Sequence, residues 1–413
     1  MIDYQKFTAY LGLSLCTTLS VALVVLNKSG PQGGYWTILG IGYAFFYAYF
    51  LFISRTQPSL AETSAVFLYA KLCLLIFFIE IGYFQTLIPD TQGDPTAYHM
   101  PTAIGFYNSG GFFEYLLFSN IFNGKMTHLL LLVQVWFLDS LGYDYSDMRL
   151  LGFSAFVVNV FILQLSIIIF YKAILNYAQS INYARRFIWF IAMNPIFISN
   201  TSAAKKEALL FLAVALFFYF LFSKNKFSLA AGAISFIVLL FDRFYMIPLL
   251  GLIFALHKRL LEPKNLLILA IGVVFLLSYF DIQALFEMLD SHQRSLTSSS
   301  VDGSILRGEH SHWANALRAL FSPFPFRNMD LMTGPDIAFD MAIPYIYFMV
   351  YLPVVLFSIL DCKGVERSFL IVIVFCFVFI PFHSTFKMFM FACVGGFVVE
   401  KISIVKFKKA VMV

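Results

Sequence analysis

Charge is what this chain has least of. Of its 413 residues only 12% are Asp, Glu, Lys or Arg, where a soluble globular domain carries roughly a quarter. That shortage excludes an ordinary water-soluble domain. It also excludes a nucleic-acid binder, because the formal net charge of +5 is scattered through short loops and forms no basic face. Cysteine is scarce too. Cys16, Cys73, Cys362, Cys376 and Cys393 lie mostly inside apolar runs with no CxxC pair, so a disulfide framework or thiolate metal site is not expected. The HxH pair His310 and His312 could bind a metal but has no paired ligand set, and HExxH spacing is absent. So are heptads, internal repeats and low-complexity tracts apart from Ser298–Ser300.

What is present is apolar. Hydrophobic residues make up 60% of the chain, with 51 Phe and 22 Tyr, and the mean hydropathy is +0.82. Apolar runs at about 7–26, 35–54, 64–88, 149–171, 187–200, 207–223, 228–241, 244–257, 265–280, 338–360, 368–382 and 387–401 predict about twelve transmembrane helices. The expected fold is an all-α polytopic membrane protein, one membrane domain over 1–413 with outer loops at about 89–148 and 281–337. The first run has no small-residue cleavage site and reads as a retained span.

Basic residues orient the spans. Arg55, Lys172 with Arg185-Arg186, Lys224 with Lys226, His257–Lys264, Lys363 with Arg367 and the Lys406–Lys409 tail all fall on one side when both termini are cytoplasmic. This follows the positive-inside rule and implies a plasma-membrane location. Segment 128–142, HLLLLVQVWFLDSLG, is apolar but too short to span. It predicts an interfacial or re-entrant helix inside the first outer loop.

The opposite side collects ionisable residues, which are costly near a bilayer and rarely idle there. In the first loop, Asp94 stands beside Tyr98 and His99, with Glu114 further on. A carboxylate or imidazole there can orient or deprotonate a sugar hydroxyl, although Gly-Asp-Pro is also an ordinary turn. Lys205, Lys206 and Glu207 open an apolar helix, where free backbone N–H groups and two ammonium groups make an anion seat. Asp242 and Arg243 lie between two apolar runs, either neutralising each other or presenting Arg243 to an anion. The second loop carries Arg294, Arg307, Glu309, His310, His312 and Arg318, with Trp313 available to stack on a sugar. His383 and Lys387 share a helical face before the last run.

An outer-loop Asp followed by Tyr and Glu (Asp94, Tyr98, Glu114), with the later helix opening at Lys205-Lys206-Glu207 and running to Asp242-Arg243, resembles bacterial O-antigen and exopolysaccharide polymerases of the Wzy and EpsG type. The resemblance spans roughly residues 85–260, and GT-C membrane glycosyltransferases share the outer-loop Asp. Family members often place a His near the position of Asp242-Arg243, which this chain lacks.

The resemblance implies a GT-C-like fold, an undecaprenyl-diphosphate-linked oligosaccharide donor and glycosyl transfer on the periplasmic face. On that reading Asp94, His99 or His383 is the catalytic base. Lys205, Lys206, Arg243, Arg294, Arg307 and Lys387 hold the diphosphate, and Tyr98, Glu114 and Trp313 touch sugar. No obligatory cofactor is expected, and a chain-length regulator is an expected partner. The alternatives are a GT-C enzyme adding one sugar from a polyprenyl-phosphate donor, for which a divalent cation would matter, and a lipid-linked glycan flippase. A flippase predicts repeat-related halves and charges through the midplane, and the sequence has neither.

Overall fold

The computed structural model describes residues 99–110, 124–192, 207–242 and 246–257, together with 38, 42, 48, 49, 52, 53 and 60. Among the described residues every regular element is a helix. In chain order these are α1 (Met100–Ser109), α2 (Lys125–Ser140), α3 (Met148–Ala178), α4 (Ile181–Ala192), α5 (Glu207–Phe222), α6 (Phe227–Asp242) and α7 (Met246–His257). The chain divides into two compact units, Met1–Ile247 and Pro248–Val413. The first contains α1 to α6.

The centre of that unit is α3, the one described helix long and apolar enough to cross a membrane by length and composition. Its 31 residues extend about 46 Å at 1.5 Å per residue. Asp147 starts it, accepting a hydrogen bond from the Arg149 N–H at 2.9 Å, as an N-cap side chain does. Gln179 stops it in the left-handed region at φ 54°. Its side-chain amide donates to the Asn176 carbonyl at 2.7 Å, which closes the exposed last turn. The expected span at 149–171 is thus a longer helix. The expected cytoplasmic loop carrying Lys172, Arg185 and Arg186 shrinks to residues 179 and 180, and those three cations sit on α3 and α4.

Helices α5 and α6 form an antiparallel pair. Asn225 caps the second by accepting from the Phe227 N–H at 3.1 Å. Gly232 faces the Phe220 ring so closely that a Cβ would meet its carbons at 2.9 Å. Ser235 donates across the seam to the Ala213 carbonyl at 2.7 Å. The most extensive packing is that of α5 on α3. Its focus is Phe170, stacked on Phe187 at 5.6 Å and on Phe211 at 5.4 Å, with Phe218 at 4.9 Å. Buried aromatics of this kind supply the largest apolar area per residue.

The Asn176 amide donates to the Ser223 hydroxyl at 2.7 Å, so the C-terminal end of α3 lies level with the Lys224–Lys226 turn. The opposite end of α6, at Asp242, is about 24 Å away. Along α6 the outward residues Phe227, Leu229, Ile234, Phe236 and Ile237 are exposed although large and apolar. Helix α6 therefore presents apolar surface on its outer face as well as its inner one.

Candidate functional site

Helix α2 has no cap of its own. Its N-cap residue is Gly124, with φ 94° and no side chain to accept a hydrogen bond. The first N–H groups of a helix must find acceptors elsewhere. Here the acceptor is Asp242, the last residue of α6. Asp242 Oδ1 accepts from the Met126 N–H at 2.9 Å and from the Thr127 N–H at 3.3 Å, and Oδ2 accepts from the Thr127 hydroxyl at 3.1 Å. Asp242 is 1% exposed. A buried carboxylate is costly unless hydrogen-bonded, and the positive end of the α2 dipole favours it further. Seating α2 on the end of α6 is therefore the structural work that Asp242 performs.

Gly124 does a second job. A Cβ at this position would lie 2.8 Å from His99 Cε1, so only glycine lets the His99 ring come this close to the start of α2. His99 precedes α1, whose Pro101 is suited to a first helical turn. His99 Nδ1 and His128 Nε2 are 2.8 Å apart, and both residues are 2% exposed. One nitrogen of this contact carries the proton and the other accepts it. The contact fixes the tautomer of each ring relative to the other.

Lys125 completes the group. It is 3% exposed, and its ammonium lies 5.8 Å from the centre of the Phe241 ring, within reach of a cation–π attraction. Burial pushes its pKa below the ordinary lysine range, because desolvation disfavours the charged form. The result is a buried cluster of two imidazoles, an ammonium and a carboxylate where α1, α2 and α6 meet. Among the described residues no group of three or more His, Cys, Asp or Glu could hold a metal ion.

Of the residues singled out by sequence as catalytic or substrate-binding, His99 lies in this cluster. Asp94, Tyr98, Glu114, Lys205, Lys206, Arg243, Arg294, Arg307, Trp313, His383 and Lys387 lie outside the described residues. Asp242, read from sequence as a partner for Arg243, has both oxygens engaged by the start of α2. Sequence reasoning missed Lys125 and His128 as members of a site. Their signal was Asn123-Gly124 followed by Lys125 and, three residues on, His128, a spacing that puts two basic side chains on one side of a helical turn. Glu207 is the first residue of α5, as the sequence predicted for a helix start.

No protein-family model, no curated protein and no solved structure matches this chain.

Proposed function

We propose that this chain is a membrane glycosyltransferase that polymerises undecaprenyl-diphosphate-linked glycan repeat units on the extracytoplasmic face, an O-antigen or exopolysaccharide polymerase with about twelve spans and a GT-C-like plan. The observation that carries the reading is the buried His99–His128 contact at the end of α6 opposite the Lys224–Lys226 turn. The reading takes that basic turn as cytoplasmic, and the length of α6, 16 residues or about 24 Å, is compatible with imidazoles near the outer edge of a hydrocarbon core about 30 Å thick. The exposed apolar face of α6 is the surface a lipid-facing helix needs.

The reaction asks for a base and a cation cluster. An acceptor hydroxyl on one lipid-linked glycan attacks the anomeric carbon of another, the new C–O bond forms, and the bond to the lipid diphosphate breaks. The hydroxyl proton goes to His99 and is shared with His128, which is general-base catalysis with a second ring to spread the charge. The departing diphosphate gains negative charge and needs cations aimed at it. Lys205, Lys206, Arg243, Arg294, Arg307 and Lys387 have that role in this reading, with Asp94 and His383 near the acceptor and Tyr98, Glu114 and Trp313 on sugar. The test is a chromosomal His99→Ala variant in the native host, read on a lipopolysaccharide gel. Collapse of the ladder to a single repeat unit is the expected result. An unchanged ladder at normal protein level would remove the proposal.

A further inference from the structure

Helices α1 and α2 run parallel, because His99 meets His128 at their starts and Tyr107 meets Asp139 near their ends. At that far end the pair opens into an exposed cluster unlike the buried one. The Tyr107 hydroxyl donates to Asp139 Oδ2 at 2.5 Å, and the Tyr145 hydroxyl donates to Asn108 Oδ1 at 3.0 Å. The two tyrosine rings meet edge to face at 5.2 Å. Trp136 lies one helical turn before Asp139 and is 59% exposed.

The connecting turn is fixed from within. Asp144 accepts from the Ser146 N–H at 2.9 Å, Asp147 caps α3, and Gly142 takes φ 75°. Tyr145 is thereby held against Tyr107 before any ligand arrives, which lowers the entropy cost of binding.

We propose that Tyr107, Asn108, Trp136, Asp139 and Tyr145 form a binding platform for an uncharged stretch of oligosaccharide. Sugars offer apolar C–H faces and hydroxyls that both donate and accept. The platform offers an exposed indole with two tyrosine rings, a carboxylate with oxygen lone pairs beyond the Tyr107 bond, and an amide. Because Asn108 Oδ1 accepts from Tyr145, its NH2 group remains the donor side of the amide. Aromatic surfaces with a few placed polar groups are what orient such ligands.

A phospholipid surface is the rival occupant, since Trp and Tyr also line bilayer interfaces. Charge argues against it. Asp139, Asp144 and Asp147 stand here against Arg149 alone between residues 126 and 171, and carboxylates are costly to bring into a bilayer.

The assignment of this sugar as the acceptor glycan rests on the polymerase reading. Eight residues of α1 separate His99 from Tyr107, about 12 Å, so the platform would hold the acceptor several ångströms outward of the reacting hydroxyl.

The experiment uses the full-length protein in nanodiscs and the host's own O-polysaccharide, freed from lipid by mild acid and end-labelled with a fluorophore. Polarisation should show binding to the wild type. Trp136→Ala and Asp139→Asn should each weaken it by about tenfold or more, and Trp136→Phe should retain most of it. Binding by Trp136→Ala and Asp139→Asn at wild-type strength, or no binding by the wild type, would overturn the platform. A variant keeping Trp136 as its sole tryptophan, with Trp36, Trp189 and Trp313 changed to Phe, should escape quenching by brominated lipids. Strong quenching would overturn the platform in favour of the bilayer. The polymerase reading stands or falls separately, on the ladder made by His99→Ala.

Discussion

The two ends of the α1–α2 pair use similar residue types for opposite purposes. At the start, His99, Lys125, His128 and Asp242 are all at most 3% exposed, and Asp242 closes three hydrogen bonds on α2. At the far end, Asp139, Asn108 and Trp136 are exposed, and the hydrogen bonds there run between side chains in water. A carboxylate at the first end is structural because its removal orphans buried donors. At the second end water can replace it, so its energetic weight in folding is small and its value lies in what it can bind. Burial, not residue type, separates the two.

The comparison breaks first at Asp242. Asp242→Ala should remove the cap and leave one buried and one part-buried N–H group and a buried hydroxyl without their acceptor. The expected loss is about 3 kcal/mol, read as a lower melting temperature of the purified protein in detergent. Asp242→Asn, which keeps one acceptor oxygen but no charge, should lose less than half as much. Gly124→Ala comes next. The positive φ costs an L-residue about 1–2 kcal/mol, and the new Cβ pushes His99 off His128. Glycan chain length should therefore shorten even where protein level recovers. Thr127→Val deletes only the hydroxyl bond and should cost about 1 kcal/mol.

Legibility in the sequence followed the same division. The apolar runs at 207–223 and 228–241 reappear as α5 and α6 almost residue for residue, because an apolar run and the polar residues that bound it are local. The start of α2 is three residues earlier than the predicted segment, since its cap comes from Asp242, 115 residues from Thr127. No local pattern encodes a cap supplied by another helix. For the same reason Asp242 looked like the natural partner of its neighbour Arg243. His99 was visible as an outer-loop imidazole, but its pairing with His128 depends on a glycine whose missing Cβ only the packed structure reveals. The tip was less legible still, as Tyr107 and Tyr145 meet through a turn between two helices.

Lys125 sharpens the buried end through pH. Its pKa is lowered in the fold, so between that value and the unfolded value of about 10.4 the unfolded chain binds more protons than the native one. Stability should then rise with pH across that window. Lys125→Met should stabilise the protein below the window and flatten the rise, as measured by melting temperature in buffers from neutral to alkaline. An unchanged slope would mean that the ammonium is not the group being titrated.

The exposed end should give the smallest folding effects. Trp136→Ala and Asp139→Asn are expected to move stability by no more than about 0.5 kcal/mol, while the same substitutions should weaken glycan binding. Tyr107 supplies the finer test. The Asp139 carboxylate that accepts its hydrogen bond holds the hydroxyl above its ordinary pKa of 10.0, because the bond exists only while the phenol keeps its proton. The raised value means the bond contributes fully below pH 10.0 and is lost as pH climbs through the folded pKa. Asp139→Asn should return Tyr107 toward 10.0 in an NMR titration of tyrosine-labelled protein, with the melting temperature at neutral pH lowered only slightly. A large drop in melting temperature would mean that the tip carries fold stability as the base does, and the division between the two ends would fail.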